Sequence, residues 1–386
     1  MKTINMDIIP FFKLMVDHGA SDIFFSVGAP PSMKVEGITS PIGKTAIKSQ
    51  QMVEIAKSVM NDAQQKEFEA TMELNMALSV EGVGRYRINV FRQRGEVAMV
   101  IRYIKGNIPS LQDLNLPPIL SSIVMEQRGL VLVVGATSSG KSTTLASMID
   151  YRNGTHCGHI LTIEDPIEYL HQHKKSIVDQ REVGIDTLNY ENALKNAMRE
   201  APDVILIGEI RDRGTMRQAI AYAETGHLCL STLHANNANQ TMDRILNFFP
   251  EDARQQLLLD TALNLRAIIS LRLIPGINQQ RIPAVEVLLN TPYISDLIEK
   301  GKIDEIKDVM SRGAEQGMQT FDDALFNLYK ANKISKENAI LYADSKNNVG
   351  LKIHHYDFYF TMSNLCFANR LISEVHQYMY YPSNKH

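Results

Sequence analysis

Apolar and polar residues alternate most clearly at 84–104, where Tyr86, Ile88 and Val90 interleave with Arg85, Arg87 and Asn89. That period of two is a strand with one buried face. A turn near Gly95 leads into a second apolar run, so the segment predicts a hairpin whose other face is basic. Upstream, residues 21–37 hold β-rich runs broken by Gly28, Pro30 and Pro31, which reads as strand, turn and strand. Over 48–69 the spacing changes, with Met52, Ile55, Ala56, Val59 and Met60 on one helical stripe. Residues 1–105 thus predict a small α+β domain.

A proline-rich, polar stretch at 106–118 is the expected linker. From 119 to about 290, strands of β-branched residues alternate with helical patterns, the signature of a parallel α/β sheet. Beyond about residue 250 the pattern reads as almost wholly helical, with a helical subdomain over 291–350. Thr320 and Asp323 make a capping box ahead of Phe321, Ala324, Leu325, Leu328 and Tyr329. The tail, 351–386, carries eight Phe and Tyr residues. That content predicts that it packs, on its own assembly or on a partner.

A chain of 386 residues suits two domains, since domains usually run to about 100–200 residues. The formal charge of −3 gives no cationic footprint, which argues against a nucleic-acid translocase and for no nucleic-acid partner. Cys157, Cys229 and Cys366 form no CxxC pair, so neither a disulfide framework nor a zinc ribbon is expected, and a reducing cytoplasm fits. Asp7, Pro10, Lys13 and Asp17 interrupt the first 22 residues, which therefore lack a signal peptide's apolar run. No stretch approaches the ~20 apolar residues of a transmembrane segment, so any membrane role needs a partner.

The chemistry begins at GATSSGKS, residues 135–142, which follows the apolar run LVLVV and precedes a helical pattern. Strand, glycine loop and helix in that order make a phosphate-binding loop. Gly135, Ala136, Thr137, Ser138, Ser139 and Gly140 would turn backbone N–H groups onto ATP phosphates. Lys141 would reach the β/γ-phosphates, Ser142 would hold Mg2+, and Thr143 completes the contact set.

The strand DVILIGE carries Glu209 but has Gly208 where nucleotide-hydrolysing sheets usually present an Asp. The run ending in Glu164, Asp165 and Pro166 offers a substitute, because Pro166 leaves both acids at a strand's carboxyl tip. Glu164 would supply the carboxylate for Mg2+ or water, and a side chain at 208 would collide with one from the neighbouring strand. Glu209 reads as the group that orients or deprotonates the attacking water, or else as a structural partner of Arg211. His227 and His234 flank a further strand; His234 suits a γ-phosphate sensor, a subunit contact or an ordinary structural histidine. Arg85, Arg87, Arg92 and Arg94 on the hairpin, and equally Arg199, Arg211 and Arg213, are candidates to neutralise a neighbouring subunit's nucleotide, against the alternative of a solvated basic face.

With GATSSGKS, TIEDPIEYLH, APDVILIGEIRD and TGHLCLSTLHAN in this order, the chain resembles the type IV pilus retraction (twitching motility) ATPases of the secretion ATPase superfamily. The resemblance implies a PAS-like N-terminal domain and a RecA-like motor domain. It implies a homohexamer on the cytoplasmic face of the inner membrane, peripheral to it and acting on a pilus platform protein there. It also implies Glu164 in an Asp box, Glu209 as catalytic glutamate, and His227 and His234 in a His box. YISDLIEKGK at 293–302 departs from the main motor's AIRNLIRE-like motif. In that respect the chain is more similar to the accessory branch, which works with the main retraction ATPase.

Overall fold

The computed structural model describes residues 8–278 and 280–359. Contacts divide the chain into two units. The first runs to residue 114 and includes 118–132 and 142–233; the second comprises 115–117, 133–141 and the chain from 234 onward.

The first unit opens with a six-stranded sheet of β1 (Asp22–Ser26), β2 (Ser32–Val35), β3 (Ile38–Pro41), β4 (Glu73–Val80), β5 (Gly84–Gln93) and β6 (Glu96–Ile104). Its order is β3-β2-β1-β6-β5-β4, antiparallel throughout. The β5–β6 hairpin turns where expected, with Arg94 and Gly95 in left-handed conformations at φ 51° and 81°. Tyr86, Ile88 and Val90 point into the core, and Tyr86 stacks on Phe12 at 4.2 Å while donating its hydroxyl to the Phe12 carbonyl at 2.9 Å. The helical stripe at 48–69 is split. Ser49–Val59 ends, and Asn61 caps a second helix, Asp62–Thr71, by accepting from the Gln64 N–H at 2.8 Å. An Asn there satisfies a free helical donor and makes starting a new helix cheaper than continuing the old one.

The same unit holds parallel strands of the expected α/β kind. After β7 (Gly129–Gly135), whose last three residues belong to the second unit, come β8 (His159–Glu164), β9 (Ile177–Glu182), β10 (Val204–Ile207) and β11 (Leu228–Leu233). β11, β10, β8 and β9 lie side by side and parallel, with Ile207 opposite both Ile163 and Ser231. All of β10 and β11 is buried. That is why their sequences read as unbroken apolar runs. The register brings the carboxyl ends of β8 and β10 level, so the residues following each emerge together.

In the second unit the expectation of an almost wholly helical chain after 250 fails. β12 (Leu265–Pro275) and β13 (Arg281–Leu289) form a long antiparallel hairpin, from Ala267 opposite Leu289 to Pro275 opposite Arg281. Both strands are mostly buried. A fully buried strand has no alternation to distinguish it from a buried helix. Beyond it lie the helices Pro292–Glu299, Phe321–Lys330 and Lys336–Leu341, with further helix over 346–359. Thr320 caps the second of these as expected, accepting from Asp323 N–H at 3.2 Å. Phe321, Leu325, Ile334, Val349 and Ile353 close a core against Ile274 and Ala284 of the hairpin. The first residues of the aromatic-rich tail therefore pack on their own chain; its continuation, 360–386, lies outside the described residues. Among the described residues no helix is long and apolar enough to cross a membrane.

Candidate functional site

The phosphate loop, in the second unit, leaves β7 at Gly135 and enters the helix Lys141–Thr155. Gly135 has φ +153°, and a Cβ there would run into Ser139 Oγ and stand 2.7 Å from the Leu271 carbonyl. Only glycine fits so close an approach. Lys141 donates Nζ to the Gly135 and Ala136 carbonyls at 3.0 and 2.9 Å, so its ammonium is fixed at the loop. Gly135, Ala136 and Thr137 line a cavity of about 680 Å3 with His234, Asn236 and Arg244. A second cavity, about 270 Å3, runs from Ala136–Ser139 to Arg272, Arg281 and Tyr342. His234 thus opens on the same cavity as the loop.

In the first unit, Ser142 and Thr143 are the second and third residues of that helix, and Thr143 Oγ1 shares a hydrogen bond with Tyr169 Oη at 2.9 Å. The acids collect at the strand tips. Glu164 Oε1 accepts from Thr162 Oγ1 at 2.7 Å and Gln180 Nε2 at 3.3 Å. Desolvation outweighs these donors and, with Glu168 nearby, pushes the carboxyl up to about 7. Glu209 accepts from Arg211 Nε at 2.8 Å, while Arg211 Nη1 lies 3.7 Å from Asp165 Oδ2. Arg211 therefore gathers the acids of both strand tips, and its ion pair with Glu209 is present beside any catalytic role.

Gly208 is crowded in the way the chain requires. A Cβ there would meet Tyr190 Oη at 2.9 Å and, at 3.2 Å each, the Glu164 Cα and the Ile163 carbonyl. The obstacle is the backbone of β8 together with a tyrosine from a helix, rather than a side chain from the neighbouring strand. Tyr190 went unrecognised in the sequence. Its one local signal is its place directly after Asn189, the cap of helix Tyr190–Ala197.

The remaining candidates disperse. His227, in the first unit, lies 3.2 Å from the Tyr222 carbonyl and 3.1 Å from Thr225 Oγ1 through Nδ1, whereas His234 belongs to the second unit. Arg87 stands 3.5 Å from the buried Glu182 Oε1 of its own chain. Arg92 lies over the Phe68 ring at 5.6 Å and donates to the Gly95 carbonyl at 3.3 Å. Arg85, on the same strand, adds to the positive field at Glu182. Among the described residues no cluster of His, Cys, Asp and Glu is arranged to hold a metal by itself.

Residues 4–357 match the Type II/IV secretion system protein family. The chain belongs to that family. One secretion-family relative, the type IV pilus ATPase PilU of Pseudomonas aeruginosa, is 52% identical over 349 residues, covering 90% of this chain and 91% of that protein. The pilus retraction ATPase PilT of the same organism is 41% identical over 334 residues, covering 86% and 97%. Among solved structures, the pilus retraction motor PilT with bound ADP superposes with a TM-score of 0.82 at 40% identity, covering 89% of this chain and 99% of that one. The α/β architecture with a parallel-stranded motor portion and a helical C-terminal region is that of the secretion family.

Proposed function

We propose that the chain is the subunit of a hexameric ATPase motor that powers or assists type IV pilus retraction. The observation that carries this reading is a complete phosphate loop in one family member whose β8 and β10 tips present Glu164, Asp165 and Glu209, the last two around Arg211. Backbone N–H groups at 135–140 and the Lys141 ammonium would bind the phosphates of ATP. Glu209 would hold the attacking water against the γ-phosphate and take up its proton.

Mg2+ fits the donors present. Ser142 offers a hydroxyl and Glu164 a carboxyl whose polar neighbours, Thr162 and Gln180, are both hydrogen-bond donors. Mg2+ takes oxygen ligands and commonly binds through one or two protein groups plus substrate phosphates, which agrees with the lack of a self-sufficient metal cluster among the described residues. Ser142 and Glu164 would hold the ion, and it would neutralise charge on the phosphates. His234 would follow the γ-phosphate from the wall of the phosphate-loop cavity, and Arg85, Arg87 and Arg92 would be the hairpin cations to reach an adjoining subunit, Arg87 only by leaving its ion pair with Glu182. The work is done on the cytoplasmic face of the inner membrane, against a pilus platform protein and together with the main retraction ATPase.

The test is steady-state ATP hydrolysis by wild type and Glu209→Gln, with ATP binding measured for both. Wild type should turn over, and the variant should bind ATP with kcat reduced about 100-fold or more, the scale of a lost acid–base group. The Glu209–Arg211 pair favours a second reading, a weakly hydrolysing subunit that couples the main motor. Binding without turnover in both proteins would select it.

A further inference from the structure

On the paired strands β8 and β9 the side chains of Thr162, Glu164 and Gln180 share one face. Thr162 and Glu164 are two residues apart, and Gln180 is the cross-strand partner of Thr162. Thr162 Oγ1 and Gln180 Nε2 both donate to Glu164 Oε1, at 2.7 and 3.3 Å. Gln180 is itself fixed. Its Nε2 also donates to the Tyr169 carbonyl at 2.9 Å, and its Oε1 accepts from the His171 N–H at 2.8 Å. An amide has its donors on one atom and its acceptor on the other, so these three contacts settle which end faces the carboxyl.

Tyr169 extends the chain of contacts to the phosphate-binding helix. Its Oη shares a hydrogen bond at 2.9 Å with Oγ1 of Thr143, which directly follows Ser142 on the helix Lys141–Thr155. The main chain beside it is seated on the end of β6. Tyr169 and Lys105 form an isolated parallel bridge, and the Leu170 N–H donates to the Lys105 carbonyl at 3.0 Å. One path of hydrogen bonds thus runs from Thr143 through Tyr169 and Gln180 to Glu164, all within the first unit. It starts next to one group that would hold Mg2+ and ends on the other.

The spacing of those two groups matters because Mg2+ demands a near-ideal octahedral set of oxygens. Ser142 rides on a helix and Glu164 ends a strand, and the Tyr169 segment spans the two elements. We propose that Tyr169 and Gln180 are positioning residues for Mg2+, a brace that sets the helix carrying Ser142 against the Glu164 carboxyl. The proposal rests on the reading that Ser142 and Glu164 hold the ion.

The full-length protein is saturated with a non-hydrolysable ATP analogue and titrated with Mn2+, a paramagnetic substitute for Mg2+ read by electron paramagnetic resonance. Analogue affinity in EDTA and the melting temperature are measured beside it. Tyr169→Phe keeps the ring and loses only the hydroxyl, and Gln180→Met keeps the length and loses the amide. Each should weaken Mn2+ binding about tenfold, at the low end of the ~10–100-fold that partners of metal ligands contribute. Analogue affinity in EDTA should be unchanged. The double variant should be no weaker than the weaker single variant, because either break opens the same path. Wild-type Mn2+ affinity in Tyr169→Phe would overturn the proposal, whatever happens to the melting temperature, and leave an ordinary structural hydrogen bond. Losses that add in the double variant would overturn it as well. Glu164→Gln, run in parallel, tells the parent reading apart. If that variant also binds Mn2+ as wild type does, Glu164 holds no ion and both ideas fail; if it loses Mn2+ while Tyr169→Phe keeps it, the brace alone fails.

Discussion

Glu286 shows how one buried residue carries a pH signature for the whole fold. Its Oε1 accepts from the Ala238 N–H at 2.8 Å and Ser270 Oγ at 3.0 Å. Desolvation nevertheless outweighs these donors and holds the carboxyl above the ordinary glutamate range. The native state then binds this proton more tightly than the unfolded state. The associated stability is complete below the ordinary glutamate value and is lost as pH rises through the raised one. Glu286→Gln keeps an oxygen for both donors and removes the charge. Thermal melts should show the variant gaining on wild type as the pH rises and losing that advantage in acid. At this scale the sequence was informative where chemistry is local. The phosphate loop is contiguous, and Glu164 and Glu209 each close an apolar run. Tyr190 was not legible because its meaning lies in a contact with Gly208 that exists only once a helix has been seated beside a strand.

Elements were legible in proportion to how one-sided their burial is. β5 is half-buried and alternates, so its period identified it. β12 and β13 are buried along most of their length and offered no period. The hairpin is tied to the helical region by Arg272, whose guanidinium lies 3.8 Å from the centre of the Phe321 ring and 2.7 Å from Asp344 Oδ1. Asp344 in turn pairs with Lys307 at 2.8 Å. Phe321 is fully buried at the first position of its helix. Phe321→Ala would remove both the ring and the surface on which Arg272 rests, at a cost of about 3–5 kcal/mol. Urea unfolding should show that loss as a lower midpoint, whereas a loss below about 1 kcal/mol would mean that the hairpin and helices repack freely.

Across the first unit, the hairpin of the six-stranded sheet meets the parallel strands through Arg87 and Glu182, on β5 and β9. The Glu182 carboxylate is fully buried and its proton is held above the usual range by desolvation, with Arg87 the leading opposing influence. Removing one member of such a pair strands the other, so Arg87→Ala should cost about 3 kcal/mol. Adding Glu182→Gln to that variant should recover much of the loss in denaturant titrations. If Arg87→Ala is instead neutral for stability and damages only hydrolysis in assembled rings, the residue serves a neighbour rather than its own chain. The glycine at 208 also limits what the tip of β10 can carry. Any larger residue there meets the Tyr190 hydroxyl at 2.9 Å and the main chain of β8 at 3.2 Å, so an aspartate enters only if the tyrosine moves aside and the strand yields by a few tenths of an ångström. An added side chain at this tip is therefore felt by a neighbouring strand and by a helix together.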